Sequence, residues 1–202
     1  MIQITLATVI YDECVNQLKR LEFNTRELRT EWIVVVDNKR TSSEVKNFVK
    51  KHARILVRDL KKETPQMSYN AILEEIKTEW FLLVDPDEFL VEELVEYIKK
   101  IPEGTDKNGF VMARENIIYW EGKKLQGHWK WPDPQLRLFR SKYRYPGIIH
   151  INAQVPMPIE AIKEGGIVHD WLTRIDEEYK RKIKNYEDWE KVSKVAWKVK
   201  KE

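Results

Sequence analysis

The chain has 202 residues, 36 of them basic and 33 acidic, for a net charge of +3, and it carries a single cysteine, Cys14. That length supports one domain with a sizeable core. A lone cysteine excludes an intramolecular disulfide and a cysteine-based zinc site, and so mixed a charge lacks the basic footprint of a nucleic-acid binder. No apolar run approaches the roughly 20 residues that span a bilayer. The first residues lack the basic region and cleavage site of a secretory signal, so a cytoplasmic location is expected.

In chain order, residues 2–10 form a β-branched, apolar run that reads as a first strand. Val15, Leu18, Leu21, Thr25 and Leu28 then recur at three- and four-residue steps, the face of a helix. Residues 32–36 are a second buried strand, ending at Asp37-Asn38. A helix is expected from Thr41-Ser42-Ser43-Glu44, with Val45, Phe48 and Val49 facing inward. Residues 54–57 are a third strand ending near Asp59, and residues 61–66 a polar loop. Tyr69, Ile72, Leu73 and Ile76 mark a further helix. Residues 80–84 are an apolar strand that runs straight into Asp85-Pro86-Asp87-Glu88. Leu90, Val91, Leu94, Val95 and Ile98 form the next helix face, closed by Pro102 and Gly104, with Glu88 read as a cap for that helix.

The second half changes character. Residues 109–113 are a strand. Residues 117–125 read as a hairpin turning at Glu121-Gly122. In residues 135–140 the leucines 136 and 138 alternate with Gln135, Arg137 and Arg140, a half-buried strand. Short strands are expected at residues 147–151 and 165–171, each with one histidine. From Asp176 onward a Lys-rich helix carries Tyr179, Ile183, Tyr186, Trp189 and Val192 on one face.

Alternating short strands and amphipathic helices indicate an α/β domain with a doubly wound, Rossmann-type, mostly parallel sheet and a mixed β second half. The expected organisation is one domain over residues 1–202. Residues 1–104 would be the parallel half, 105–175 the mixed half and 176–202 a C-terminal helix. Ligands of such sheets sit beyond the carboxyl ends of the strands. Asp12, Asp37, Asp59 and Asp85 all fall at or just past expected strand ends. Each alone is compatible with turn chemistry. Three carboxylates packed into residues 85–88 repel one another, and a divalent cation relieves that repulsion.

These residues resemble a family-2 glycosyltransferase of GT-A fold. Tyr11-Asp12-Glu13 resembles the family's opening after the first strand, with Asp12 where Asn is usual. Val34-Val-Val-Asp37-Asn38 is similar to the segment that meets the nucleotide base, with Lys39 and Arg40 where Gly-Ser is expected. Asn70-Ala71 resembles the Asn before the central helix. Glu79-Trp80 through Asp85-Pro86-Asp87-Glu88 resembles the Asp-x-Asp signature. Trp131-Pro-Asp133-Pro-Gln135-Leu-Arg137-Leu-Phe-Arg140 is similar to a segment found in one bacterial and archaeal branch, where His150 and His169 also have counterparts.

The resemblance implies a metal-assisted, inverting hexosyltransferase. Its donor would be a nucleotide sugar, UDP- or GDP-linked. Its acceptor would be a carbohydrate or a lipid-linked molecule. Asp37 and Asn38 would hydrogen-bond the base, Asp85 would lie near the ribose or the metal, and Asp87 would bind Mg²⁺ or Mn²⁺. Such an ion acts as a Lewis acid on phosphate oxygens. His169 is a candidate third ligand, or else a strand-end histidine bonded in the core. Arg137 and Arg140 are placed to fork onto phosphate, or to be surface charges of an alternating strand. Asp133 is the candidate proton acceptor, with Asp170 and Glu115 as alternatives and Asp-Pro turn chemistry as the plain explanation. Trp120, Trp129 and Trp131 would stack on sugar rings or fill the core. The C-terminal helix either covers the core or makes peripheral contact with the inner face of a membrane. A non-catalytic nucleotide- or carbohydrate-binding module is the alternative function. A metal-dependent nuclease or nucleotidyltransferase is a third, disfavoured by the balanced charge.

Overall fold

In the computed structural model, residues 1–11, 15–120, 123–126, 133–146 and 152–170 are described. Asp12, Trp129, Trp131, His150 and the C-terminal helix expected from Asp176 lie outside them, as do the side chains of Trp120 and Asp170. The elements run β1 (Ile4–Ile10), α1 (Val15–Thr25), β2 (Glu31–Asp37), α2 (Ser43–His52), β3 (Arg54–Arg58), α3 (Pro65–Glu75), β4 (Trp80–Leu83), β5 (Glu88–Leu90) and α4 (Glu92–Lys99). Then come β6 (Gly109–Trp120), β7 (Lys123–Gln126), β8 (Asp133–Arg140), β9 (Ile159–Ala161) and β10 (Ile167–Asp170).

One sheet takes strands from both halves of the chain, in the order β3-β2-β1-β4-β8-β6-β10-β5, with β7 and β9 also pairing with β6. The first four strands are parallel. Beyond them β8 runs antiparallel to β4 and β6 antiparallel to β8. This is the expected parallel first half and mixed second half. β1 lies between two partners and every residue of it is buried. Successive side chains point to opposite faces, so Ile4, Leu6 and Ile10 join one core while Ala7 and Val9 join the other. Burial of each of these Ile, Leu and Val side chains contributes about 1.5–3 kcal/mol. The wholly apolar strands therefore fix the centre of the sheet.

The helices start where their caps allow. The Ser42 hydroxyl accepts from the Val45 amide at 3.2 Å and opens α2. Thr64 caps α3 with Pro65 in the first turn. That helix takes in Pro65 and Gln66, which the sequence pattern assigns to a loop. Proline has no amide hydrogen to lose there and its φ suits a helix start. The hairpin of residues 117–126 forms, with Ile117 opposite Gln126 and Trp120 opposite Lys123.

Two strands depart from the sequence pattern in ways that shape the site. Glu88 does not cap a helix. It begins β5, which pairs antiparallel with β10, and α4 starts from Val91 without a side-chain cap. In β8 the register against β6 skips one residue, since Phe110 faces Leu138 and Val111 faces Leu136. The skipped residue is Arg137. A bulge of this kind re-aims side chains, so Leu136 and Leu138 do not share a face: they join different cores. The apparent alternation conceals this break.

Candidate active site

Parallel order brings the carboxyl ends of β2, β3 and β4 to one edge, and with them Asp37, Asp59 and Asp85. Asp37 is buried and its carboxylate ties the edge together. Oδ1 accepts from the amides of Lys39 at 2.9 Å and Arg40 at 2.7 Å, and Oδ2 from the amide of Leu60 at 3.0 Å. Asn38, next to it, is exposed. Asp59 lies 3.9 Å from the Lys39 ammonium and 3.8 Å from that of Lys62.

At the end of β4 the chain turns tightly: the Asp85 amide donates to Glu88 Oε2 at 3.0 Å, and Glu88 is fully buried. Arg137, buried at the bulge of β8, places Nη2 at 2.6 Å from Glu88 Oε1 and 3.1 Å from Asp85 Oδ2. Burial opposes its charge, but the Glu88 and Asp85 carboxylates outweigh that cost and push its pKa up. The Tyr69 hydroxyl lies 3.5 Å from Asp85 Oδ1. Burial first, and then the Asp85 charge, raise this phenol well above its ordinary range. Asn70 holds the neighbouring loop by both amide atoms, 2.8 Å to the Tyr145 carbonyl and 2.9 Å from the Tyr145 amide.

The network continues onto β6. Arg114 Nη1 donates to the same Glu88 Oε1 at 3.2 Å, while its Nε and Nη2 reach Asp133 Oδ2 at 2.9 and 2.6 Å. Gln135 Nε2 donates to Asp133 Oδ1 at 2.7 Å and Asn116 Nδ2 lies 3.4 Å from Oδ2. Burial raises the Asp133 carboxyl, but Arg114, Gln135 and Asn116 together bring it below the usual carboxylate value. So held, Asp133 is a weak proton acceptor in this state. Glu115, the neighbour of Arg114, is half-buried.

Asp87 is buried and its Oδ2 lies 3.3 Å from His169 Nε2; His169 Nδ1 lies 2.7 Å from Asn116 Oδ1. The Asn116 amide group faces the Asp133 carboxylate, which can only accept. Its oxygen therefore faces His169, and Nδ1 carries the proton. In that tautomer Nε2 is the nitrogen a metal takes. Two ligands at about 2.1 Å and at right angles on one ion lie about 3 Å apart, so the Asp87 and His169 pair fits a divalent cation. Among the described residues no group of three or more His, Cys, Asp or Glu side chains is disposed to hold a metal. An ion here would take its remaining ligands from water and substrate.

Asp85, Asp87, Asp133, Arg137 and His169 thus come together. Arg140 does not. It faces Trp80 at the opposite end of β4, about 16 Å away along the strand at roughly 3.3 Å per residue. There it donates to the carbonyls of Thr105 at 2.6 Å and Lys107 at 3.1 Å, pairs with Glu79 and stacks over Trp80. The expectation that Arg140 forks onto phosphate is corrected: its guanidinium is consumed in fastening the 105–107 loop. Sequence reasoning also passed over Arg114, Asn116, Gln135 and the role of Glu88. The signal for the first two is the abrupt change from Phe-Val-Met-Ala to Arg-Glu-Asn in residues 110–116, where a buried strand turns polar at the edge that carries the acids.

The strand order, four parallel strands continued by antiparallel strands from the second half of the chain, is that of the GT-A fold. A model of the family "Glycosyl transferase family 2" matches residues 10–157, and the chain belongs to that family. Comparison with curated protein sequences finds no match. Among solved structures the chain is similar to S. aureus TarS, with a TM-score of 0.53 at 13% identity over 83% of this chain and 36% of that one. Against the S. aureus TarS 1-349 structure the TM-score is again 0.53 at 13% identity, with 60% of that chain covered. The likeness is one of fold, and the chain spans less than two thirds of either neighbour.

Proposed function

We propose that this domain is a hexosyltransferase that moves a sugar from a nucleotide-diphosphate donor, a UDP- or GDP-sugar, to a hydroxyl of a carbohydrate or lipid-linked acceptor. Membership of the family supports sugar transfer. The observation that carries the reading is the convergence of Asp85, Asp87 and His169 at the carboxyl edge, where four carboxylates (Asp85, Asp87, Glu88, Asp133) face two guanidinium groups. The excess of negative charge suits a divalent cation.

In this reading Asp87 and His169 hold Mg²⁺ or Mn²⁺, with Asp85 beside them toward the ribose or the metal. The ion, when bound, neutralises charge on the departing diphosphate. Asn38, exposed at the end of β2, meets the base, while Asp37 keeps its loop in shape. Arg137 adds positive charge near the phosphates. The acceptor oxygen attacks the anomeric carbon as the bond to the diphosphate breaks, with inversion. The nucleoside diphosphate leaves with the electron pair and the hydroxyl proton passes to a carboxylate. Asp133 can take it once its pairing with Arg114 loosens. Trp131 is assigned to the acceptor sugar by its neighbourhood in the sequence. Among the described residues no helix is long and apolar enough to cross a membrane, and contact with a membrane's inner face stays with the C-terminal segment as a proposal.

Incubating the protein with a panel of UDP- and GDP-sugars and Mn²⁺ tests this reading. Release of nucleoside diphosphate from one or a few donors, lost on removal of the metal by chelation, is the expected result. Binding of nucleoside diphosphate without release from any donor or acceptor combination would instead favour a non-catalytic module.

A further inference from the structure

Asp85 and Asp133 sit on different elements and share no hydrogen bond or ion pair. Between them runs an unbroken line of alternating charge: Asp85 to Arg137 at 3.1 Å, Arg137 to Glu88 at 2.6 Å, Glu88 to Arg114 at 3.2 Å, and Arg114 to Asp133 at 2.6 Å. One atom, Glu88 Oε1, receives both guanidinium groups. Glu88 Oε2 is spent on the Asp85 amide. Glu88 has no exposure to solvent and Arg137 is 5% exposed, so water is kept from the Arg137–Glu88 link, while the Arg114 side chain beyond it is 20% exposed. Arg137 Nε is buried without a hydrogen-bond partner, so at this junction Arg137 is held through its Nη2.

We propose that Glu88 is a positioning residue that couples the donor end of the site, at Asp85, to the acceptor end, at Asp133, through Arg137 and Arg114. The names of the two ends rest on the glycosyltransferase reading; the coupling itself rests on the ion chain. When an anion engages Arg137, the hold of Arg137 on Glu88 weakens. Glu88 then redistributes its interaction toward Arg114, and Arg114 changes its grip on Asp133. Interactions inside a low-dielectric interior are strong enough to carry such a redistribution over several links. Binding at one end alters the other by the same factor in both directions. The donor site thereby controls when Asp133 is released from Arg114, which ties proton acceptance to donor occupancy.

A ligand-free double-mutant cycle tests the coupling. Asp85→Asn and Asp133→Asn, alone and together, are compared by urea denaturation in the native and Glu88→Gln backgrounds. Residues without shared partners behave additively, whereas members of one ion network do not. The proposal expects the double variant to depart from the product of the two singles by at least about threefold in the unfolding equilibrium constant, and the departure to vanish with Glu88→Gln. Additivity in the native background, or a departure that survives Glu88→Gln, overturns it. Should Glu88→Gln fail to fold, Arg114→Gln breaks the same chain one link further on and must abolish the departure in its place. Calorimetric titration of uridine or guanosine diphosphate with Mn²⁺ adds the functional readout. Asp133→Asn should change the affinity several-fold in the native background and leave it unchanged in the Glu88→Gln background, which keeps the separate link from Asp133 through Asn116 to His169; an unchanged affinity in the native background, or a change that survives Glu88→Gln, contradicts the proposal. Absence of nucleotide binding by the native protein would count against the donor reading, while the denaturation cycle would still decide the coupling.

Discussion

At the scale of single residues, the site is built from charges that satisfy one another. Replacing Arg137 with Ala leaves Glu88 buried with only its longer pairing to Arg114. Removing one partner of a buried ion pair costs about 3–5 kcal/mol, so Arg137→Ala should lower stability by about 3 kcal/mol in urea denaturation. Asp133 offers a pH signature. Its folded-state pKa is depressed relative to the unfolded chain, because Arg114, Gln135 and Asn116 outweigh the effect of burial. Its ionised form therefore adds stability above the unfolded value of about 3.9, and that contribution is lost as the pH falls through the lower folded value. Below about pH 4 the melting temperature of the native protein should drop more steeply than that of Asp133→Asn, as followed by thermal denaturation across the acid range.

At the scale of elements, the caps and glycines place the strands that carry the charges. Thr64 is buried and its hydroxyl accepts from the Met67 amide at 3.3 Å to open α3, the helix that holds Tyr69 and Asn70. Thr64→Ala should cost about 1 kcal/mol. Gly165 has φ +65°, and a Cβ there would lie 2.6 Å from Val91 Cγ2 and 2.8 Å from the Leu94 backbone nitrogen. Only glycine fits this approach of the β10 lead-in to α4. Gly165→Ala should destabilise by about 1–3 kcal/mol, and by loosening β10 it should weaken metal-dependent nucleotide binding as well, read by melting temperature and calorimetry.

The elements also explain what the sequence could and could not convey. The apolar runs of β1, β2 and β4 are long, uninterrupted and buried on both faces, so hydrophobic patterning alone places them and the acids at their carboxyl ends. Patterning could not locate Arg137 or remove Arg140. Both read as polar positions of one half-buried strand. A bulge at Arg137 turns it into the acidic edge, while antiparallel register with β4 carries Arg140 across Trp80 to the other end of the strand. A single skipped residue changes which face every later side chain takes, and nothing in the local composition announces it. Glu88 was hidden for a related reason. Its partners Arg114 and Arg137 come from strands 26 and 49 residues further along the chain, and a short strand such as β5 exists only because β10 is there to pair with it.

At the scale of the whole molecule, a sheet joining both halves of the chain sets one charged edge. The parallel strands supply Asp37, Asp59 and Asp85 at their carboxyl ends, and β6, β8 and β10 supply Arg114, Asn116, Asp133, Arg137 and His169 from the other half. The chain belongs to glycosyl transferase family 2, and its similarity to TarS is a matter of fold. In the proposed reading Asp87 and its neighbours seat a cation and a nucleoside diphosphate together. Titration calorimetry of native protein and Asp87→Ala with uridine and guanosine diphosphate, each with and without Mn²⁺, tests it most directly. Expected are Mn²⁺-dependent binding of at least one of the two to the native protein, and a loss of at least about tenfold in affinity in Asp87→Ala, equivalent to about 1.4 kcal/mol. Undiminished, metal-dependent binding by Asp87→Ala would contradict it.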